Sequence, residues 1–225
     1  MRRPSFLILL AGAGIALGFS AAPVAAQLME APTPKRFEIT PFAGYQWGGS
    51  FDTQGSGAIP AGTLRLKDSF AWGAVLSFLT FGNSAVELTY LRQDTDIEFD
   101  RAGGGGNTNL GGFSMNYIQI GGRQHFGRHD APLRPFASVS LGINILDPAA
   151  AGIGSATRFS WNFGGGAQYM FASGRAGLRT DLKFWMTPVP SGTYGTWCDF
   201  YGCFVAEGTA WVTQGQVSGG LVLAF

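Results

Sequence analysis

Past residue 26 the chain has no apolar run reaching the roughly 18 residues that a spanning helix needs, so nothing there crosses a membrane as a helix. Charge is sparse as well: 13% of residues are Asp, Glu, Lys or Arg, with 15 bases against 14 acids. No polybasic stretch occurs, which excludes a nucleic-acid partner from the reading. There are only two histidines, His125 and His129, with Asp130 the neighbouring carboxylate. Two imidazoles without a Cys or carboxylate cluster do not make a metal site. Lipid deacylation or acyl transfer needs an activated Ser, or a His with a polar partner, and no His-x-Ser arrangement surrounds either histidine. Gly103 to Gly106 is glycine-rich but does not lie between a strand and a helix, so it does not form a phosphate cradle. No catalytic residue, metal or cofactor site is expected, and no internal repeat or second domain is visible.

What is present begins with a targeting segment. Arg2 and Arg3 form a basic start, Phe6 to Phe19 a short apolar core, and Val24-Ala25-Ala26 a small-residue cleavage site. Residues 1–26 are therefore expected to be a secretory signal peptide of the ordinary kind, since Phe6 falls one position late for the twin-arginine pattern. Cleavage near Gln27 leaves about 200 residues. Without Arg2 and Arg3 the 15 bases become 13 against 14 acids, close to neutral. Residues 27–35, with Pro32 and Pro34, read as a short periplasmic lead-in, and 36–225 as one further domain. That domain draws on a composition of 46% hydrophobic residues, 14% aromatics and 35 glycines.

Period-2 segments recur at 36–47, 68–79, 85–98, 113–126, 134–146, 158–171, 176–187 and 208–225. Each is long enough to cross an apolar band when tilted, which takes about 9–11 residues. In the sixth, Phe159, Trp161, Phe163, Gly165, Ala167, Tyr169 and Phe171 share one face, and Ser160, Asn162, Gly164, Gly166 and Gln168 the other. The connections at 48–67, 99–112, 147–157 and 188–207 are long; those at 80–84, 127–133 and 172–175 are short. Long and short alternate strictly, as required when one barrel end faces the periplasm and the other the outside. The expected fold is thus all-β: an eight-stranded antiparallel transmembrane up-and-down barrel. A soluble barrel would want the apolar residues inside, whereas Tyr45 with Trp47, Phe70 with Phe78, and Tyr169 with Phe171 suit interfacial girdles. With an even strand count both termini and both histidines fall at the short-turn, periplasmic end.

Inward parity collects Glu87, Arg123, Arg179, Asp181 and Lys183. Charges in a narrow barrel must find partners or water. They therefore form either an ionic plug, which the small interior of eight strands favours, or the polar lining of a conduction path. Arg92 falls on the lipid side by strict alternation, and so lies either above the apolar band or beyond a register-shifting bulge. In the last long connection Cys198 and Cys203 are expected to close a disulfide in an oxidising periplasm. The bridge would rigidify a tip carrying Tyr194, Trp197, Phe200, Tyr201 and Phe204. Those rings are either a contact surface or packed on one another and on the membrane interface.

The chain closes on Ser218-Gly219-Gly220-Leu221-Val222-Leu223-Ala224-Phe225, with Trp211, Val217, Leu221, Leu223 and Phe225 on one face and Gln214, Gln216 and Ser218 on the other. Its terminal pattern, including Gly220, Leu223 and Phe225, resembles the signal by which bacterial outer-membrane barrels are recognised for insertion. The whole of the mature chain resembles the small outer-membrane barrel superfamily: the OmpA transmembrane domain, OmpX and opacity-type porin-family surface proteins. The resemblance rests on topology, signal peptide and terminal motif, and transfers no functional residues. It implies a non-enzymatic surface or envelope-integrity role, the outer membrane as location, and as partners membrane lipid and lipopolysaccharide, the barrel-assembly machinery, and host or neighbouring-cell surfaces. A narrow channel for small or hydrophobic solutes, as in OmpW-like relatives, is the second expectation, and a lipid-modifying enzyme the third.

Overall fold

The computed structural model describes residues 36–53, 62–80, 83–103, 106–128, 131–149, 154–189, 196–199, 202–205 and 210–225. The expected signal peptide and lead-in lie outside these residues. The strands are β1 (Phe37–Gly48), β2 (Ser50–Thr53), β3 (Gly62–Leu66), β4 (Ser69–Leu79), β5 (Ser84–Arg101), β6 (Asn107–His125), β7 (Leu133–Pro148), β8 (Ala156–Met170), β9 (Ala176–Val189), β10 (Thr196–Asp199), β11 (Gly202–Val205) and β12 (Ala210–Ala224). Eight of them close a ring in the order β1, β4, β5, β6, β7, β8, β9, β12 and back to β1, every pair antiparallel. This is the eight-stranded up-and-down barrel that the alternation predicts. Closure runs from Glu38↔Ala224 to Gly48↔Gln214. Below it, Arg36 N–H donates to the Phe225 oxygen at 3.0 Å and Phe225 N–H to the Phe37 carbonyl at 2.9 Å.

The period-2 pattern decides which face is which. Outward stand Ile39, Leu76, Leu88, Ile118, Ile120, Leu141, Ile143, Leu178 and Leu182, all exposed. Aromatics edge this band. Phe37, Phe78, Phe126, Phe171 and Phe225 lie toward the short connections; Tyr45, Phe70, Trp72, Tyr90 and Trp211 lie toward the long ones. Inward stand Glu38, Thr40, Gln46, Ser77, Glu87, Gln93, Gln119, Arg123, Asn144, Asn162, Gln168, Arg179, Asp181, Lys183, Gln214 and Gln216, all buried. The distribution inverts that of a water-soluble barrel and is the one a barrel immersed in lipid requires.

Glycines let the strands curve around so small an interior. At Gly166 of β8 an added Cβ would run into the Thr180 carbonyl oxygen of β9 and meet the Phe136 ring at 2.9 Å. Gly48 and Gly49 adopt φ of 85° and 96°, a left-handed pair that breaks β1 from β2. The break is held where Gly48 N–H donates to Asp68 Oδ1 at 3.1 Å and Leu66 N–H to the Gly49 carbonyl at 2.8 Å.

Three stretches expected as loops are partly strand. Segment 48–67 carries β2 and β3, which pair with each other and, through β3, with the upper part of β5. Segment 99–112 shrinks because β5 runs on to Arg101, three residues beyond the expected 98, and β6 starts at Asn107, six before the expected 113. Segment 188–207 contains the β10–β11 hairpin, a separate two-stranded sheet. Excess strand length on this side carries the sheet beyond the apolar band, where ladder bonds satisfy backbone groups and outward side chains become charged.

Candidate functional site

The interior is built in layers, from the short connections upward. Lowest is an ionic layer. Arg123, from β6, reaches Glu38 Oε2 of β1 at 2.7 Å and Glu87 Oε1 of β5 at 3.3 Å. Arg179, from β9, donates to Glu87 Oε1 at 2.6 Å and Oε2 at 3.2 Å. It also grips Asp181 with Nε and Nη2 at 2.9 and 2.8 Å. Lys183 Nζ stands 3.7 Å from Asp181 Oδ1. Ser77 donates to Glu87 at 3.1 Å, and Gln168 both donates to Glu38 and accepts from Arg123. Phe136 lies under both guanidiniums, its ring centre 4.6 Å from Arg179 and 5.8 Å from Arg123. The five charges expected inside therefore meet in one cluster, joined by Glu38. With Glu38, three cations face three carboxylates, so the buried charges neutralise one another.

Glu38 is the member that the sequence reading passes over. Its signal was available, because it shares inward parity with Thr40, Gln46 and the rest of the β1 inner face. Parity says that Glu38 points in; only the stagger of the closed ring says that it meets Arg123.

Above the charges lies an amide layer. Gln119 donates to Ser160 at 2.7 Å, accepts from Ser140 at 3.1 Å, and also accepts from Asn162. Higher still, Gln214 Oε1 accepts from Gln46 at 3.0 Å and from the Tyr117 hydroxyl at 2.8 Å, while its amide donates to Gln93 at 3.1 Å. Trp185, 1% exposed, donates to Gln216 at 2.7 Å and packs 4.6 Å from the Tyr117 ring. The long-connection end is capped by Leu66, Ala71, Leu91, Phe113, Met115, Leu146 and Val212. Side chains therefore fill the interior at every level, from charged through amide to apolar.

His125 points inward at the short-connection end. It is buried, edge-on to Phe136 at 5.6 Å, and neither ring nitrogen has a hydrogen-bond partner among the described residues. His129 and Asp130 lie outside those residues. Among the described residues no three His, Cys, Asp or Glu side chains converge as metal ligands.

At the long-connection end Arg92 faces outward, above the apolar band. Its guanidinium binds Asp94 at 2.8 Å, and Asp94 in turn accepts from Ser114 at 2.6 Å. Beside them the Tyr90 hydroxyl donates to Asn116 at 3.0 Å. The register shift in this pair of strands comes later, between Ile97 and Glu98. Position above the band, not a bulge, thus accounts for Arg92. On the last long connection the β10–β11 register sets Cys198 opposite Cys203 and Trp197 opposite Phe204. Tyr194, Phe200 and Tyr201 lie outside the described residues. Leu223 and Phe225 of the terminal motif face outward, and Gly220 pairs with Phe42 of β1 and Arg179 of β9.

No protein-family model matches the chain. No curated protein matches it either. Solved structures do. Neisserial surface protein A is similar at a TM-score of 0.54 and 12% identity, over 84% of this chain and 97% of that one. The N-terminal β-barrel domain of Pseudomonas aeruginosa OprF matches at 0.41 and 12%, over 82% and 97%. The outer membrane protein AlkL in lipid bilayers matches at 0.48 and 12%, over 85% and 90%. The likeness to Neisserial surface protein A is one of fold: a small eight-stranded barrel.

Proposed function

We propose that this chain is a non-enzymatic outer-membrane barrel, closed to solutes, that acts through the surface at its long-connection end. The observation that carries the reading is the filled interior. Three carboxylates and three cations are bonded to one another at one end, and an apolar cap lies at the other. A conducting path would need those charges to face water, and here they face each other. The exposed apolar band supports a membrane location. The shared fold with a protein described as a neisserial surface protein supports the outer membrane as that location. The alternation of long and short connections supports placing the long ones outside and both ends of the barrel domain in the periplasm. Cys198 and Cys203, opposite one another in register, are proposed to form a disulfide that stiffens the hairpin presenting Trp197 and Phe204 to a host or neighbouring-cell surface.

Planar-bilayer recording tests the closed interior. The full-length barrel is expected to give no stable current steps. Steps that vanish on Lys183→Met would instead make it a narrow channel. Lipid A from an overproducing strain is expected to be unmodified, and a changed acyl pattern would make the barrel an enzyme.

A further inference from the structure

The two ends of the barrel carry charge differently. At the long-connection end exposed charges are mixed in sign: Lys67 pairs with Glu98 at 3.1 Å and Arg92 with Asp94 at 2.8 Å, and of the other exposed charges there Arg65 and Arg101 are basic and Asp68 and Asp147 acidic. The other end is basic. Arg36 precedes β1, Arg128 sits in the β6–β7 connection, Arg134 opens β7, and Arg175 sits in the β8–β9 connection. Among the described residues no Asp or Glu is exposed at this rim. The carboxylates of this half, Glu38, Glu87 and Asp181, are buried inside and bound to Arg123, Arg179 and Lys183. Arg36, Arg134 and Arg175 make no ion pair among the described residues, and the Nε of Arg134 is buried without a hydrogen-bond partner.

The backbone fixes where these cations stand. Arg36 N–H donates to the Phe225 oxygen at 3.0 Å, and Ala224 N–H donates to the Arg175 carbonyl at 2.8 Å. Arg36 and Arg175 therefore flank the end of β12 from its two sides. Three of the four are close in sequence to an exposed apolar side chain of the girdle, Arg36 to Phe37, Arg128 to Phe126 and Arg175 to Phe171, whereas Arg134 is half-buried and shares the inward parity of Phe136. In a bilayer the rings mark the interface, and the layer just outside them holds lipid phosphates. The connections at this end are short, so the exposed Arg36, Arg128 and Arg175 are held at headgroup depth. A guanidinium presents several N–H donors in a planar fork that suits a phosphodiester.

We propose that this rim is a binding surface for anionic phospholipid headgroups in the leaflet it meets. The proposal rests on reading the barrel as membrane-spanning. The rim gives that leaflet a charge preference that the long-connection end, with exposed charges of both signs, lacks.

Full-length protein folded into vesicles of phosphatidylcholine, or of phosphatidylcholine mixed with phosphatidylglycerol, tests it. The readout is lipid selectivity at the protein boundary, measured with spin-labelled lipids. Heat-modifiable migration and protease resistance first report whether the barrel has inserted; failure there strikes the membrane reading, not the rim. Given insertion, the wild type is expected to prefer phosphatidylglycerol. Arg36→Gln with Arg175→Gln, both on exposed positions, is expected to lower that preference about fivefold per arginine at low salt. Arg36→Lys with Arg175→Lys is expected to retain most of it, and Arg92→Gln at the opposite end to leave it unchanged. No preference in the wild type, or one that survives the double Gln variant, would overturn the proposal. So would rim-dependent binding to isolated cell wall in place of phosphatidylglycerol.

Discussion

Arg179 holds the largest share of the interior bonding. One guanidinium spans Glu87 and Asp181, 92 and 2 residues away in sequence, through four hydrogen bonds, with the Phe136 ring stacked against it. Removing it leaves two buried carboxylates facing Arg123 and Lys183 alone. Arg179→Met is therefore expected to destabilise the folded barrel by about 3–5 kcal/mol, the cost of breaking a buried ion pair. Arg179→Lys is expected to lose less, because the charge remains while the fork that spans both carboxylates does not. Urea unfolding in lipid vesicles measures both. Gly166 is the steric counterpart. Gly166→Val would force a Cβ onto the Thr180 carbonyl and the Phe136 ring, and the same titration is expected to show a loss of about 1–3 kcal/mol.

At the scale of elements, the hairpin β10–β11 is the segment whose chemistry can be tested apart from the barrel. If Cys198 and Cys203 are bridged, mass spectrometry after alkylation is expected to show two added groups only once a reductant is present. Cys198→Ser with Cys203→Ser is then expected to leave heat-modifiable folding intact and to speed proteolysis between residues 190 and 207. Labelling of both thiols without reductant would remove the bridge. The neighbouring elements show where sequence reasoning was sufficient. From Phe159 to Phe163 of β8 and from Gln214 to Ser218 of β12 larger apolar or small residues alternate with polar ones, so each face was legible from the residues alone. The end of β5, beyond residue 98, was not. From Asp94 to Arg101 its outward residues Asp94, Asp96, Glu98 and Asp100 are charged, because that part of the strand has left the apolar band. Hydropathy there describes the solvent, not the strand. Its inner face, with Phe99 packed on Leu64, kept the period. The β2–β3 ribbon was hidden by glycines and proline in 48–67, and Glu38 by a partner far away in sequence. Which inward residues meet is a property of ring closure and stagger, and no single strand carries it.

For the whole molecule, position on the outer wall is expected to set the cost of charge. Leu141 stands in the middle of the band and Leu133 at its short-connection edge. Leu141→Arg is expected to cost about 2–4 kcal/mol and Leu133→Arg about 0–1 kcal/mol in vesicle unfolding titrations. Equal costs would argue against a band with a defined depth. The central claim is the inversion itself, with apolar side chains outward into lipid and polar ones bonded inside. The chain's six tryptophans allow this to be read directly, because Trp72 and Trp211 stand exposed on the outer wall while Trp185 is buried within. Single-tryptophan variants, the others replaced by Phe, can be folded into vesicles of brominated lipid and their fluorescence compared with that in unbrominated vesicles. Strong quenching is expected of Trp72 and Trp211 and little of Trp185. Quenching of Trp185 as strong as that of Trp72 would place the interior face against lipid and contradict the account.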